Sequence, residues 1–256
     1  GIYSIPLSIT QVFLLVSSTI NYILIVPFSN HYNKKEYSEI ERLSHLAEKN
    51  ISLLLMPLVL IIFIFAEFIL GIFGSDTAPA VPILRILIIA TYVNATMRPY
   101  DAQFVSAGKL KLAFTLGILV LFTNAFLNII LIPEYLFGIK LIGMGLEGAS
   151  IALLISFIVQ SSLARVFVYL NAGIGQNKRV LLHIFSAFIT YIILNIIFPN
   201  LIMETLHVIF YTCIIFIIFY GILYLTGDFS DKEIKFYLSI TNPQKMRLYI
   251  TNEFKK

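Results

Sequence analysis

The chain has 256 residues, 59% of them hydrophobic and 12% charged, with a mean hydropathy of +0.90. That composition excludes an ordinary soluble domain. The net charge of +4 does not point to nucleic acid, because the cations keep to particular gaps between apolar runs and anionic lipid headgroups account for them more simply.

Apolar runs lie near 4–29, 51–73, 79–106, 111–132, 146–170, 180–198 and 206–226. Each is long enough to cross ~30 Å of hydrocarbon at about 1.5 Å per residue. The expected fold is all-α: a polytopic membrane protein with transmembrane helices over all these runs. The first span carries Ser4, Ser8, Gln11, Ser18 and Tyr22 at helical spacing. The gap that follows holds Lys34, Lys35, Arg42 and Lys49. Within it, Ser38 and Glu41 have the spacing of a capping box, and Tyr37, Ile40, Leu43 and Ala47 recur every three or four residues. This predicts a short amphipathic helix on the membrane surface.

Span two contains Glu67 and span three Arg85, each about six residues from the shared gap at 74–78. Antiparallel neighbours would place them at one depth, as an ion pair bracing the two helices. Pro79 and Pro82 suit the first turns of span three. Farther along, Thr91, Asn94, Arg98 and Asp101 form one polar face of an otherwise apolar helix, and Pro99 interrupts its hydrogen-bond ladder and predicts a kink. A charge at membrane depth is costly and faces protein or water. Arg98 and Asp101 therefore either neutralise each other at i, i+3 or line a cavity that binds an anion. Ala107-Gly108-Lys109 reads as a tight turn. Span four carries Asn124 and Asn128, span five Ser156 and Gln160, each pair at i, i+4. Such residues often join membrane helices, but their occurrence on several spans also suits a shared hydrophilic cavity with Gln11. The gap 133–145, with Pro133, Gly138, Gly143 and Gly145, reads as a loop. The tail from 228 to 256 predicts a second surface helix near 231–242, with Ser230 and Glu233 as its capping box.

Topology follows from the cations. Lys109, Lys111, Arg165, Lys178 and Arg179 fall on the side of Lys34 and Lys35, as do those of the tail, whereas the opposite gaps contain only Lys140. The positive-inside rule then puts the first residues outside and the tail in the cytoplasm, in a multi-pass plasma-membrane protein. Chemistry-bearing motifs are absent. The histidines His31, His45, His183 and His207 are scattered, the single Cys213 allows no internal disulfide or cysteine metal site, and no HExxH, GxSxG, Walker or CxxC pattern occurs. Nothing points to an enzyme, a metal or a cofactor.

Several stretches, in order, resemble the C-terminal half of polysaccharide-exporting members of the multidrug/oligosaccharidyl-lipid/polysaccharide exporter superfamily. They are Ile72-Phe73-Gly74 with Ala80 and Leu84-Arg85-Ile86-Leu87; Ser106-Ala107-Gly108-Lys109 with Lys111; Asn124, Asn128, Ile132 and Pro133; Gly145-Leu146-Glu147-Gly148-Ala149-Ser150-Ile151-Ala152; and Pro27 before a polar connection. Glu147 departs from the small or apolar residue usual there. The resemblance implies five helices of a second, MATE-like lobe over 1–170, two appended helices over 171–227 and a cytoplasmic tail over 228–256. It implies a longer protein, with an N-terminal lobe as partner and no transport by this lobe alone. The implied activity is flipping of a lipid-linked (prenyl diphosphate) saccharide, a polysaccharide precursor. The substrate would lie in a wet cavity among membrane lipids, at Arg98, Asp101, Asn94, Thr91, Gln11, Asn124, Asn128 and Gln160. Two alternatives stand beside it: a cation-coupled small-molecule exporter of the same fold, which would favour acidic cavity residues, and a membrane-embedded glycosyltransferase or polymerase, which would need a large acidic or histidine-bearing outer loop.

Overall fold

The computed structural model describes residues 3–199 and 201–229, and the helix expected near 231–242 lies outside them. Seven helices among the described residues are long and apolar enough to cross a membrane. The elements in order are α1 (Ser4–Lys34), α2 (Tyr37–Ile64), α3 (Ala66–Gly71), a 3-10 turn (Ser75–Ala80), α4 (Val81–Ser106), α5 (Leu110–Leu131), β1 (Tyr135–Leu136), β2 (Ile139–Lys140), α6 (Gly145–Ala172), α7 (Lys178–Ile197) and α8 (Thr205–Leu225). The fold is all-α apart from one small hairpin. The connections alternate between two ends. The end holding Lys34, Lys109 and Lys178 is called the basic end below.

The central helix is α4, which packs on α1, α2 and α6, while α5 lies mainly on α6. Helices α7 and α8 attach through α2. Their joint is apolar: Leu53, Val59 and Leu60 of α2 share a core with Leu194 of α7 and Ile215 and Phe219 of α8. A second core near the basic end gathers Phe28, Ile40, Met97, Tyr100 and Val168.

Three expectations need correction. No separate surface helix occupies 31–50. α1 continues to Lys34, Lys35 turns in the left-handed region at φ 59°, and α2 runs unbroken from Tyr37 into the membrane span. The periodic face of that segment packs against protein instead of lipid. Ile40 and Ala47 are buried, and the Gly175 N–H donates to Glu41 Oε1 at 3.0 Å while Asn177 Nδ2 donates to the His45 carbonyl at 2.9 Å. Ser38 is not the cap, since Glu36 precedes the first turn. The second correction is in span two, which is broken at Phe65 into α2 and α3. The third is the 133–145 gap, which is not all loop: β1 and β2 pair antiparallel through Phe137 (φ 50°) and Gly138 (φ 81°), a two-residue turn with both central φ angles positive. The turn at Gly108 is as expected, with φ 69° and Lys109 N–H donating to the Phe104 carbonyl at 2.8 Å. α4 remains one helix through Pro99.

Candidate functional site

On α4, Arg98 sits about 12 Å from the helix end at Ser106, counting 1.5 Å per residue. Its Nη2 donates to Asn94 Oδ1 at 2.7 Å, four residues earlier, and its Nη1 reaches Asp101 Oδ2 at 3.5 Å. The second contact is at the outer limit of a hydrogen bond. The Arg98 Nε is buried with no partner among the described residues. The side chains of Arg98 and Asp101 stay 25% and 22% exposed. Thr91 shares the face but donates back to the Leu87 carbonyl at 2.8 Å. The polar stripe read from spacing is thus a physical cluster for Asn94, Arg98 and Asp101.

Other expected cavity residues do not join it. Asn128 Nδ2 donates to Asn124 Oδ1 at 3.0 Å within α5, leaving the Asn128 Oδ1 buried and without a partner among the described residues. Gln11 is exposed and Gln160 half-buried, and no hydrogen bond links either to Arg98 among the described residues. The Glu67–Arg85 ion pair does not form. Arg85 Nε donates to the Phe63 carbonyl at 3.0 Å and its guanidinium lies 5.5 Å from the Phe63 ring centre, while Glu67 is exposed. The break at Phe65 supplies the reason, since carbonyls near a helix end lack intrahelical partners and draw donors.

Two polar clusters near the basic end have no counterpart in the sequence reading. In the first, Glu48 of α2 is 1% exposed. Arg165 of α6 donates to its Oε1 at 2.7 Å, and the Tyr100 hydroxyl of α4 donates to its Oε2 at 3.1 Å. Arg165 also donates to the Ser161 hydroxyl and lies 4.9 Å from the Tyr100 ring centre. One ion pair so joins α2, α4 and α6. In the second, four buried groups form a row: Tyr92 hydroxyl to Ser52 hydroxyl at 2.6 Å, Ser52 to His183 Nδ1 at 2.8 Å, and His183 Nε2 to Asp228 Oδ2 at 2.7 Å. Arg179 Nε lies 3.3 Å from Asp228 Oδ1, and Lys49 reaches both that carboxylate and the Asp228 carbonyl. Burial pushes the Asp228 carboxyl up, but the His183 hydrogen bond and the neighbouring Lys49, His183 and Arg179 charges outweigh it and hold the group below its usual range. No sequence signal announces either cluster, because every link except that of Arg165 to Ser161 comes from distant parts of the chain.

Beside the Glu48 cluster opens a cavity of about 270 Å³ lined by Glu48, Tyr92, Ser161, Arg165, Asn177 and Lys178, among others. Among the described residues, no group of three His, Cys, Asp or Glu is placed to hold a metal ion. No family model matches the chain, and neither curated proteins nor solved structures show significant similarity to it.

Proposed function

We propose that the chain takes part in moving lipid-linked saccharide precursors across the plasma membrane, with its basic end in the cytoplasm and a prenyl diphosphate as the group handled inside the bundle. Arg98 carries this reading. It is a permanent cation well inside a membrane-crossing helix, partly exposed, with one strong partner, one at the limit of reach and one N–H without any. A charge so placed faces water or a ligand sooner than lipid. A guanidinium fork with donors to spare suits a phosphate, which it binds in bidentate fashion. Such a group could not cross hydrocarbon unpaired. A cation-coupled exporter would want a carboxylate free of a fixed cation. Asp101 and Glu48, the carboxylates nearest this region, both lie against an arginine.

The test is made in cells whose own copy of the protein is altered. Arg98→Ala should abolish arrival of lipid-linked saccharide at the outer leaflet at unchanged protein level, and Arg98→Lys should keep a fraction, since charge remains but the fork is lost. Undiminished arrival in Arg98→Ala would end the phosphate role. The orientation is checked separately in a Cys213→Ala background. A cysteine placed at Lys34 should resist an impermeant thiol reagent added outside, and one at Ser75 should react.

A further inference from the structure

Helices α4 and α7 both pack on α2 but make no extensive contact with each other. A wedge of about 450 Å³ is left between them. Its floor is Met56, Leu60 and Phe63 of α2; its walls are Ile89 and Val93 of α4 and Phe188 of α7. Phe188 is 59% exposed, so the wedge opens sideways toward the membrane. Toward the basic end it runs into the 270 Å³ cavity, with which it shares Tyr92, Val93 and Ile184. The lining changes there from apolar to polar: Ser161, Ser162, Arg165, Gln176, Asn177 and Lys178.

Two quantities restrict what fills this space. The first is length. From Lys178, at the polar mouth, to Tyr191, at the deep end of the wedge, is thirteen residues of α7, or about 20 Å at 1.5 Å per residue. That is half of a bilayer of ~40–45 Å including headgroups. The second is charge. At the mouth Arg165 is neutralised by Glu48, whereas the exposed Lys178 has no ion pair among the described residues, so the mouth keeps a net positive charge. A headgroup beside a lysine and a chain one leaflet long describe one kind of molecule. We propose that this wedge binds a single anionic phospholipid of the basic-end leaflet, its phosphate at Lys178 and one acyl chain along Ile184, Phe188 and Tyr191. The site is separate from Arg98, and it stands or falls independently of the transport reading.

The native chain has no tryptophan, so Phe188→Trp creates a sole reporter on the wall of the wedge. The protein is reconstituted into phosphatidylcholine vesicles in which a small fraction of either phosphatidylglycerol or phosphatidylcholine carries brominated acyl chains. Brominated phosphatidylglycerol should quench the tryptophan roughly fivefold more effectively per mole than brominated phosphatidylcholine, the preference one surface cation supplies. Lys178→Gln in the same background should bring the ratio to about one. Equal quenching by both lipids with Lys178 intact would reduce the wedge to ordinary boundary lipid and overturn the proposal. An undiminished preference in Lys178→Gln would overturn the headgroup assignment, and no quenching by either lipid would mean that protein closes the wedge. Relief of quenching by a prenyl phosphate at far lower mole fraction than phosphatidylglycerol would give the site to an isoprenoid instead. Tyr191→Trp, on the same wall, is the second reporter should Phe188→Trp fail to fold.

Discussion

Arg98 takes its partners from its own helix, Asn94 four residues before and Asp101 three after, whereas Arg165 takes Glu48 from a helix 117 residues away in sequence. The first cluster is partly exposed and would survive intact if α4 were lifted out of the bundle. The second is more deeply buried, with the Glu48 side chain 2% exposed, and exists only when α2, α4 and α6 are packed. An arginine satisfied locally adds little to assembly and remains available to a ligand. An arginine satisfied across helices holds the bundle and has few donors left to offer.

The comparison breaks most readily at Glu48. Glu48→Gln leaves the Arg165 cation largely buried and without a countercharge, a change that costs about 3–5 kcal/mol. Thermal unfolding in detergent should fall accordingly, and an unchanged melting temperature would mean that the pair does not brace the bundle. Asp228→Asn is the next largest. It removes the acceptor charge shared by His183, Lys49 and Arg179, for a loss of about 2–3 kcal/mol, with α7 and α8 loosened first. Limited proteolysis of the α7–α8 connection near 198–204 should quicken in that variant.

The same carboxylate gives a pH signature. A carboxyl lowered on folding stabilises the fold above its unfolded value, and that contribution is lost as the pH falls through the lower folded value. The Asp228 contribution should therefore be complete well above the usual 3.8 and disappear below it. Melting curves of Asp228→Asn should show less of the acid decline than wild type. The smallest expected effect sharpens the contrast: Asp101→Asn removes a partly exposed pair at 3.5 Å, worth at most about 1 kcal/mol, and should barely move the melting temperature. A drop as large as that of Glu48→Gln would make Arg98 a structural residue after all.

The membrane helices were legible because an apolar run of some twenty residues has few other uses, and the Arg98 stripe because spacings of three and four define one helix face. The extension of α2 was not. Ile40, Leu43 and Ala47 repeat with the period of a surface helix and of a protein-packed helix alike, and only the bonds of Glu41 to Gly175 and of Asn177 to His45 decide which. Glu67 and Arg85 share one depth, which would pair them on straight helices, but nothing in the sequence marks the break at Phe65. The Glu48 and His183 clusters were beyond reach for a further reason: each joins residues whose proximity depends on which helices become neighbours. In the sequence alone, Lys49 and Arg165 mark only the basic side.

The row from Tyr92 to Asp228 has a sense of direction. With Asp228 ionised and the imidazole neutral, His183 Nε2 carries the hydrogen facing the carboxylate, which leaves Nδ1 as a lone pair. Ser52 then has to point its hydroxyl at Nδ1, and Tyr92 its own at Ser52. Every donor in the row aims away from α4, so the imidazole is locked in one tautomer by a carboxylate just beyond the last described helix. A side chain at 228 that donated to Nε2 instead of accepting from it would reverse the row: the hydrogen would move to Nδ1, the hydroxyls of Ser52 and Tyr92 would both have to swing round, and the change would reach the wall of the cavity without any helix moving.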